Sequence, residues 1–231
     1  MIGEGADILD IGAVSSRPGS LYPGADEELA RLKPIVEILV QEQIAQKVTL
    51  SIDAFEPRVV AFAVDNGFQI INDITGLSHD EVITIAAQND VQAVMMHMAG
   101  DPTTMQDHPS YHDVVAQVDH FFEDRLAKAH AKGLDDIVLD IGLGFGKTLE
   151  HNMTLLKSLS HFRHFGLPLL VGASRKSMIN AITPTPIEER LPGTLALHLE
   201  GWNNGASIVR CHDVAAHRQV LSIMEYRDQN V

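Results

Sequence analysis

Seven short apolar, β-branched runs in this chain each end in polar side chains able to hold or activate a small molecule. In chain order these are Asp10 with Ser15, Ser16 and Arg17; Asp53; Asn72 with Asp73; His97 with Met98; Asp140; Ser174, Arg175 and Lys176; and Arg210 with His212. Any one of them alone reads as a helix N-cap or a turn residue. Seven in phase form a coherent chemical set. Asp53, Asp140 and Asn72 offer carboxylates and a carboxamide suited to a hydrogen-bonding heterocycle, whereas Arg17, Arg210, His212 and two serines suit a phosphate.

Other motifs fail on spacing. Gly142-Leu143-Gly144-Phe145-Gly146-Lys147-Thr148 has a glycine-rich look, but a Walker loop would need glycine at Ile141, and the dinucleotide fingerprint is spaced differently. Its glycines either let the backbone pass under a flat ligand beside Phe145 or make a turn. The 12 histidines include the pairs His108/His112 and His161/His164 and the loop-start His151, yet no third ligand stands at a matching spacing. They read as exposed or capping residues. His97, between Met96 and Met98, is either a site residue or a packed core histidine. Cys211 lies between Arg210 and His212 but alternates away from both along a strand, so it reads as filler.

The elements that must position these residues alternate in kind. The apolar runs are Ile8 to Ile11, Val48 to Ile52, Phe68 to Asn72, Ala93 to Met96, Ile137 to Leu139, Leu169 to Val171 and Ser207 to Val209. Their continuous hydrophobicity is that of parallel strands covered on both faces. Between them stand helical segments at Glu27 to Val40, Pro57 to Asn66, Asp80 to Gln88, Asp113 to Lys132, Asn152 to His164, Ser177 to Ile182, Leu195 to Asn203 and Val214 to Arg227. Pro34 predicts a kink or a late start in the first. Strict alternation without a linker predicts one α/β domain over residues 1–231. Chemistry at the end of every strand, rather than at one switch point, favours a barrel over an open sheet.

Composition bounds the function. Seventeen basic against 31 acidic side chains give a net charge of −14, which opposes nucleic acid and anionic membranes. No apolar run approaches the roughly 20 residues of a membrane span. One cysteine, and a start with no basic or apolar leader pattern, predict a reducing cytoplasm.

Laid out together, Asp10-Ile11-Gly12 with Ser15-Ser16-Arg17-Pro18-Gly19, Ser51-Ile52-Asp53, Ile71-Asn72-Asp73-Ile74, Met96-His97-Met98, Asp140 through Lys147, Val171 through Ser177, and Arg210-Cys211-His212-Asp213 resemble the dihydropteroate synthase family in the family's own order. The resemblance implies a (β/α)8 TIM barrel, usually a homodimer. It implies coupling of 6-hydroxymethyl-7,8-dihydropterin diphosphate to 4-aminobenzoate, with release of pyrophosphate and help from Mg2+. It also implies residue roles. Asp53, Asn72, Met96, Asp140 and Lys176 would bind the pterin, with Asp140 accepting two hydrogen bonds. Ser16, Arg17, Arg210 and His212 would hold the diphosphate; Arg17, Phe145 and Ser174 or Ser177 would seat 4-aminobenzoate; and Lys176, Arg210 and His212 are the residues expected to serve catalysis.

Departures from the pattern are Ala13-Val14-Ser15-Ser16, Ala54-Phe55 after Asp53, and Ile141 in place of a proline. The family's first strand, its magnesium-diphosphate asparagine and the loop that follows are expected ahead of Met1. That leaves no metal ligand in the chain, seven strand units of eight, and unpaired edges at Ile8 to Ile11 and Ser207 to Val209. Two other readings stand beside the synthase. One is a non-catalytic homologue that binds a pterin or phosphate ligand; the other is a pterin-using methyltransferase barrel, against which Ser174 through Ser177 and the Arg210/His212 pair speak.

Overall fold

The computed structural model describes residues 1–15, 19–100, 105 and 109–230. Seven strands, β1 (Ile8–Ile11), β2 (Thr49–Asp53), β3 (Ile70–Asp73), β4 (Gln92–Met96), β5 (Ile137–Asp140), β6 (Leu169–Val171) and β7 (Ile208–Val209), pair in chain order, each parallel to the next. β1 and β7 are the edges of this sheet, as expected. The helices are α1 (Ala25–Gln41), α2 (Pro57–Asp65), α3 (Asp80–Gln88), α4 (Val114–Ala131), α5 (Leu149–Lys157), α6 (Ser177–Ile182), α7 (Leu191–Asn203) and α8 (Val214–Asn230).

Two apolar layers separate the faces of the sheet. Leu50, Ile52, Ile71, Met95, Ile137, Leu139, Leu169 and Val171 pack outward against helix residues such as Leu32, Val59, Val118 and Phe122. Ile70, Val94, Val138 and Leu170 form a separate cluster on the other face, joined by Ile8 and Ile208. Because residues from both edge strands pack in that one cluster, the sheet curls into a barrel-like wall with an apolar inside.

The structure corrects two helix expectations. α1 starts at Ala25 and continues past Pro34 to Gln41, so the helix does not start late at the proline. Pro34 faces solvent, as does Ala30, whose carbonyl loses its donor to the ring and is left to water, while Leu32 and Val36 keep the buried stripe. The single helix expected over Asn152 to His164 is instead α5, opened by a reciprocal cap between Thr148 and His151, followed by a 3-10 segment at Leu159–Phe165. Three residues per turn bring Phe162 and Phe165 together against Phe122, at ring separations of 5.8 and 6.1 Å.

Candidate active site

Side chains alternate along a strand, so the residue two beyond each inner apolar residue faces the same way, one layer nearer the strand's C-terminal end. Two beyond Ile8, Ile70, Val94, Val138, Leu170 and Ile208 stand Asp10, Asn72, Met96, Asp140, Gly172 and Arg210. A polar layer therefore lies directly on an apolar one.

The polar layer is cross-linked. Asp10 accepts from Ser51 Oγ at 2.7 Å and from Asn72 Nδ2 at 2.8 Å. Asp140 is buried; it accepts from the Gly142 N–H at 2.8 Å and, on its other oxygen, from Arg210 Nη2 at 3.3 Å. Arg210 Nη1 lies 3.9 Å from Asp10, so the guanidinium spans the ends of both edge strands. Gly172 makes room for it: a Cβ there would come within 3.2 Å of Arg210 Nη2. Two polar atoms of this layer, Asn72 Oδ1 and Arg210 Nη1, are buried without a hydrogen-bond partner among the described residues. Because a carboxylate only accepts, the bond to Asp10 fixes which end of the Asn72 amide is the unpaired oxygen.

Beside this layer Ile74, Met96, Met105 and Phe145 form a small apolar cluster with Phe55 and Met98 packed on it. Lys176 Nζ sits 4.6 Å from the Phe145 ring centroid and donates to the Leu143 carbonyl. A cleft opens over Asp53, Phe55 and Ile74, walled by Ser15 and Tyr22 from the β1–α1 loop. Tyr22 is fixed by its ring contact with Phe55, at 5.0 Å, and by donation to Glu28 at 2.8 Å. At the far side Ser174 Oγ and His212 Nδ1 are 2.8 Å apart, and Arg175 binds Asp213 through two nitrogens at 3.1 and 2.6 Å.

Burial, with the charge of Arg210 added, pushes the Lys176 ammonium from 10.5 down to about 7, and Asp140 opposes the shift. The sign follows from linkage: the unfolded chain binds this proton up to pH 10.5 and the folded chain only up to about 7. The resulting destabilisation is complete below pH 7 and fades as the pH rises to 10.5. The stability of the wild type relative to Lys176→Met is accordingly expected to climb across that window. Parallel denaturation curves for the two proteins would overturn the shift.

The expected site residues Asp53, Asn72, Met96, Phe145, Asp140, Ser174, Lys176, Arg210 and His212 all stand at or beside the strand ends. Ser177 opens α6 and is exposed, whereas Ser174 is engaged by His212. Ser16 and Arg17 lie outside the described residues. His97 is a core residue: it is buried, meets Phe121 edge-on at 4.8 Å, and burial pushes its imidazole down to about 2. The Cys211 thiol is pushed up to about 11 by burial and then by Asp213, which disfavours the reactive thiolate.

The glycine-rich loop turns out to be built against protein. Gly142, Gly144 and Gly146 all have positive φ, and a Cβ on Gly142 would lie 1.9 Å from the His97 carbonyl oxygen. Three residues that sequence reasoning did not single out hold this loop. Lys147, buried, donates to the carbonyls of His97, Gly142 and Phe145 at 3.3, 2.9 and 3.0 Å. Asn152 accepts from the Gly144 N–H at 2.7 Å, and Tyr111 donates to the Gly146 carbonyl at 2.8 Å. A second unforeseen support lies behind the β6 loop. His198 Nε2 accepts from the Ala173 N–H at 2.8 Å, so Nδ1 carries the proton and donates to His217 Nε2 at 2.8 Å; His217 Nδ1 then donates to the Asp213 carbonyl at 2.7 Å. No spacing rule pairs residues 198 and 217.

A family model described as pterin binding enzyme matches residues 1–212. The dihydropteroate synthase of Escherichia coli strain K12 is 41% identical over 227 residues, covering 97% of this chain and 79% of the relative. The crystal structure of Yersinia pestis dihydropteroate synthase with a sulfonamide drug complex superposes with a TM-score of 0.93 at 37% identity, covering 99% of this chain and 82% of the other. That of Thermus thermophilus dihydropteroate synthase in complex with 4-aminobenzoate gives 0.90 at 41% identity, covering 97% and 86%. With its buried polar layer at the strand ends and this likeness over nearly its whole length, the chain belongs to the pterin-binding enzyme family, among the dihydropteroate synthases.

Proposed function

We propose that the polar layer of this barrel binds 6-hydroxymethyl-7,8-dihydropterin diphosphate and couples it to 4-aminobenzoate, giving 7,8-dihydropteroate and pyrophosphate. The observation that carries the reading is Asn72. It is buried, its amide nitrogen is committed to Asp10, and its oxygen has no partner among the described residues. An orphan acceptor costs about 1–3 kcal/mol unless something donates to it. A pterin N–H does so.

Asp140 would take the pterin's amino group and neighbouring ring N–H on its remaining lone pairs, and Lys176 would donate to the ring carbonyl. Asp53 would meet a further ring nitrogen. The ring would rest near Met96 and Phe145. Arg210, whose Nη1 makes no hydrogen bond among the described residues, would receive the diphosphate together with His212, Ser16 and Arg17. Phe145, Ser174 or Ser177, and Arg17 would seat 4-aminobenzoate, and binding of that acid by the Thermus relative supports this substrate.

In the reaction the C–O bond between the pterin methylene and the diphosphate breaks, both electrons leaving with the diphosphate. The amine lone pair forms the new C–N bond, and its proton passes to water. The side chains supply orientation and charge compensation rather than a covalent bond. Mg2+, implied by the family, prefers several oxygen ligands. It is commonly held by one or two carboxylates, water and substrate phosphates rather than by an all-protein cage. Among the described residues the one His, Cys, Asp and Glu cluster with three ligand atoms is Asp119, His161 and His164, away from this layer and rich in imidazole, so that cluster does not suit magnesium. We also assign the chain to the cytoplasm and to a homodimer, supported by its single cysteine and by the family resemblance. No described helix is long and apolar enough to cross a membrane.

Incubation with both substrates, followed by chromatography, is expected to yield dihydropteroate and pyrophosphate in equal amounts. Pterin binding without pyrophosphate release would instead favour the non-catalytic homologue.

A further inference from the structure

Sequence spacing pairs His161 with His164 and finds them no third ligand. The fold supplies one. Asp119, on α4, lies against the 3-10 segment after α5, and its Oδ1 is 2.9 Å from His161 Nε2 and 2.7 Å from His164 Nε2. Two imidazole nitrogens and a carboxylate oxygen converge within 4.8 Å of one another. We propose that Asp119, His161 and His164 form a binding site for a first-row divalent metal ion of the zinc class, on the outer face of the barrel and separate from the pterin-binding layer.

The ligand chemistry selects the metal. Imidazole and carboxylate together suit zinc and its neighbours, whereas magnesium and calcium prefer oxygen alone. A tetrahedral ion with bonds of roughly 2.0–2.2 Å holds its ligand atoms about 3.3 Å apart, so the nitrogens need retreat from the oxygen by only about half an ångström. The rings are held in place to do this. His161 stands edge-on to Phe162 at 5.3 Å, His164 lies 4.0 Å from Phe165, and the two imidazoles are 5.2 Å apart. Both histidines are 47% exposed, so an ion can enter from solvent and keep a water as its fourth ligand. Bound there, the metal ties α4 to the segment leading into β6, an added cross-link between two outer elements.

The test is titration of tag-free protein with Zn2+ by calorimetry, paired with thermal denaturation. One ion per chain is expected to bind at micromolar concentration and to raise Tm. His161→Ala and His164→Ala should each weaken binding by about tenfold or more and abolish the Tm rise. His120→Ala, on the same helix as Asp119 but outside the cluster, should change neither. Metal-free Tm values of the variants near that of the wild type confirm that they fold. No binding below millimolar Zn2+, or binding that all three variants retain equally, would overturn the site.

Discussion

Asp140→Asn is expected to lower affinity for the pterin diphosphate by more than about a hundredfold, close to 3 kcal/mol, while the chain stays folded. The carboxylate is buried between Gly142 and Arg210, and the pterin edge would bring two donors to its remaining lone pairs. In the amide, the oxygen can keep the Gly142 N–H. The new NH2 then faces Arg210, a donor against a donor, and the pterin's second N–H finds no acceptor. Thermal denaturation should show a modest loss and calorimetric titration a severe one. Unchanged pterin affinity in this variant would remove Asp140 from the site.

The second large effect is structural. Gly142→Ala would drive a Cβ to within 1.9 Å of the His97 carbonyl oxygen at a residue whose φ is +64°. The left-handed backbone alone costs an alanine about 1–2 kcal/mol. Relief of the clash must in addition move backbone that Lys147 bonds at three carbonyls. A total of about 3 kcal/mol or more is expected, a fall in Tm of roughly 6–12 °C for a chain of this size. Gly133→Ala makes a useful control: its φ is also positive, but nothing lies within 4 Å of the added Cβ, so it should lose only the conformational part. Equal losses in the two variants would show that the close approach at Gly142 carries no weight.

Particular residues show what is legible in the sequence and why. The strands are, because parallel strands covered on both faces must be continuously apolar, and each run lies within one or two residues of its strand. The polar layer is equally legible, since Asp10, Asn72, Asp140 and Arg210 follow the inner apolar residues by the same two-residue step. Contacts between distant segments are not. The glycine loop could be under a ligand or in a turn as far as spacing goes; only the fold brings His97 and Ala99 against it. Lys147 carries no spacing signal of its role, yet it is consumed in holding three carbonyls. His198 and His217 sit on different helices and meet directly behind the β6 loop, and Asp119 likewise joins His161 and His164 from a distant element. Pro34 does not delay the start of α1, because a local rule about a lost hydrogen bond takes no account of which face of the helix is wet.

The central claim is that a pterin ring lies across Asp140 and Asn72 with its diphosphate toward Arg210. A crystal structure of this chain with bound 6-hydroxymethyl-7,8-dihydropterin diphosphate measures it most directly. The pterin amino group and a ring N–H should lie within hydrogen-bond distance of the Asp140 carboxylate, a further ring N–H should reach Asn72 Oδ1, and a diphosphate oxygen should reach Arg210 Nη1. A ring bound elsewhere, with Asn72 Oδ1 and Arg210 Nη1 still without a hydrogen bond, would contradict it.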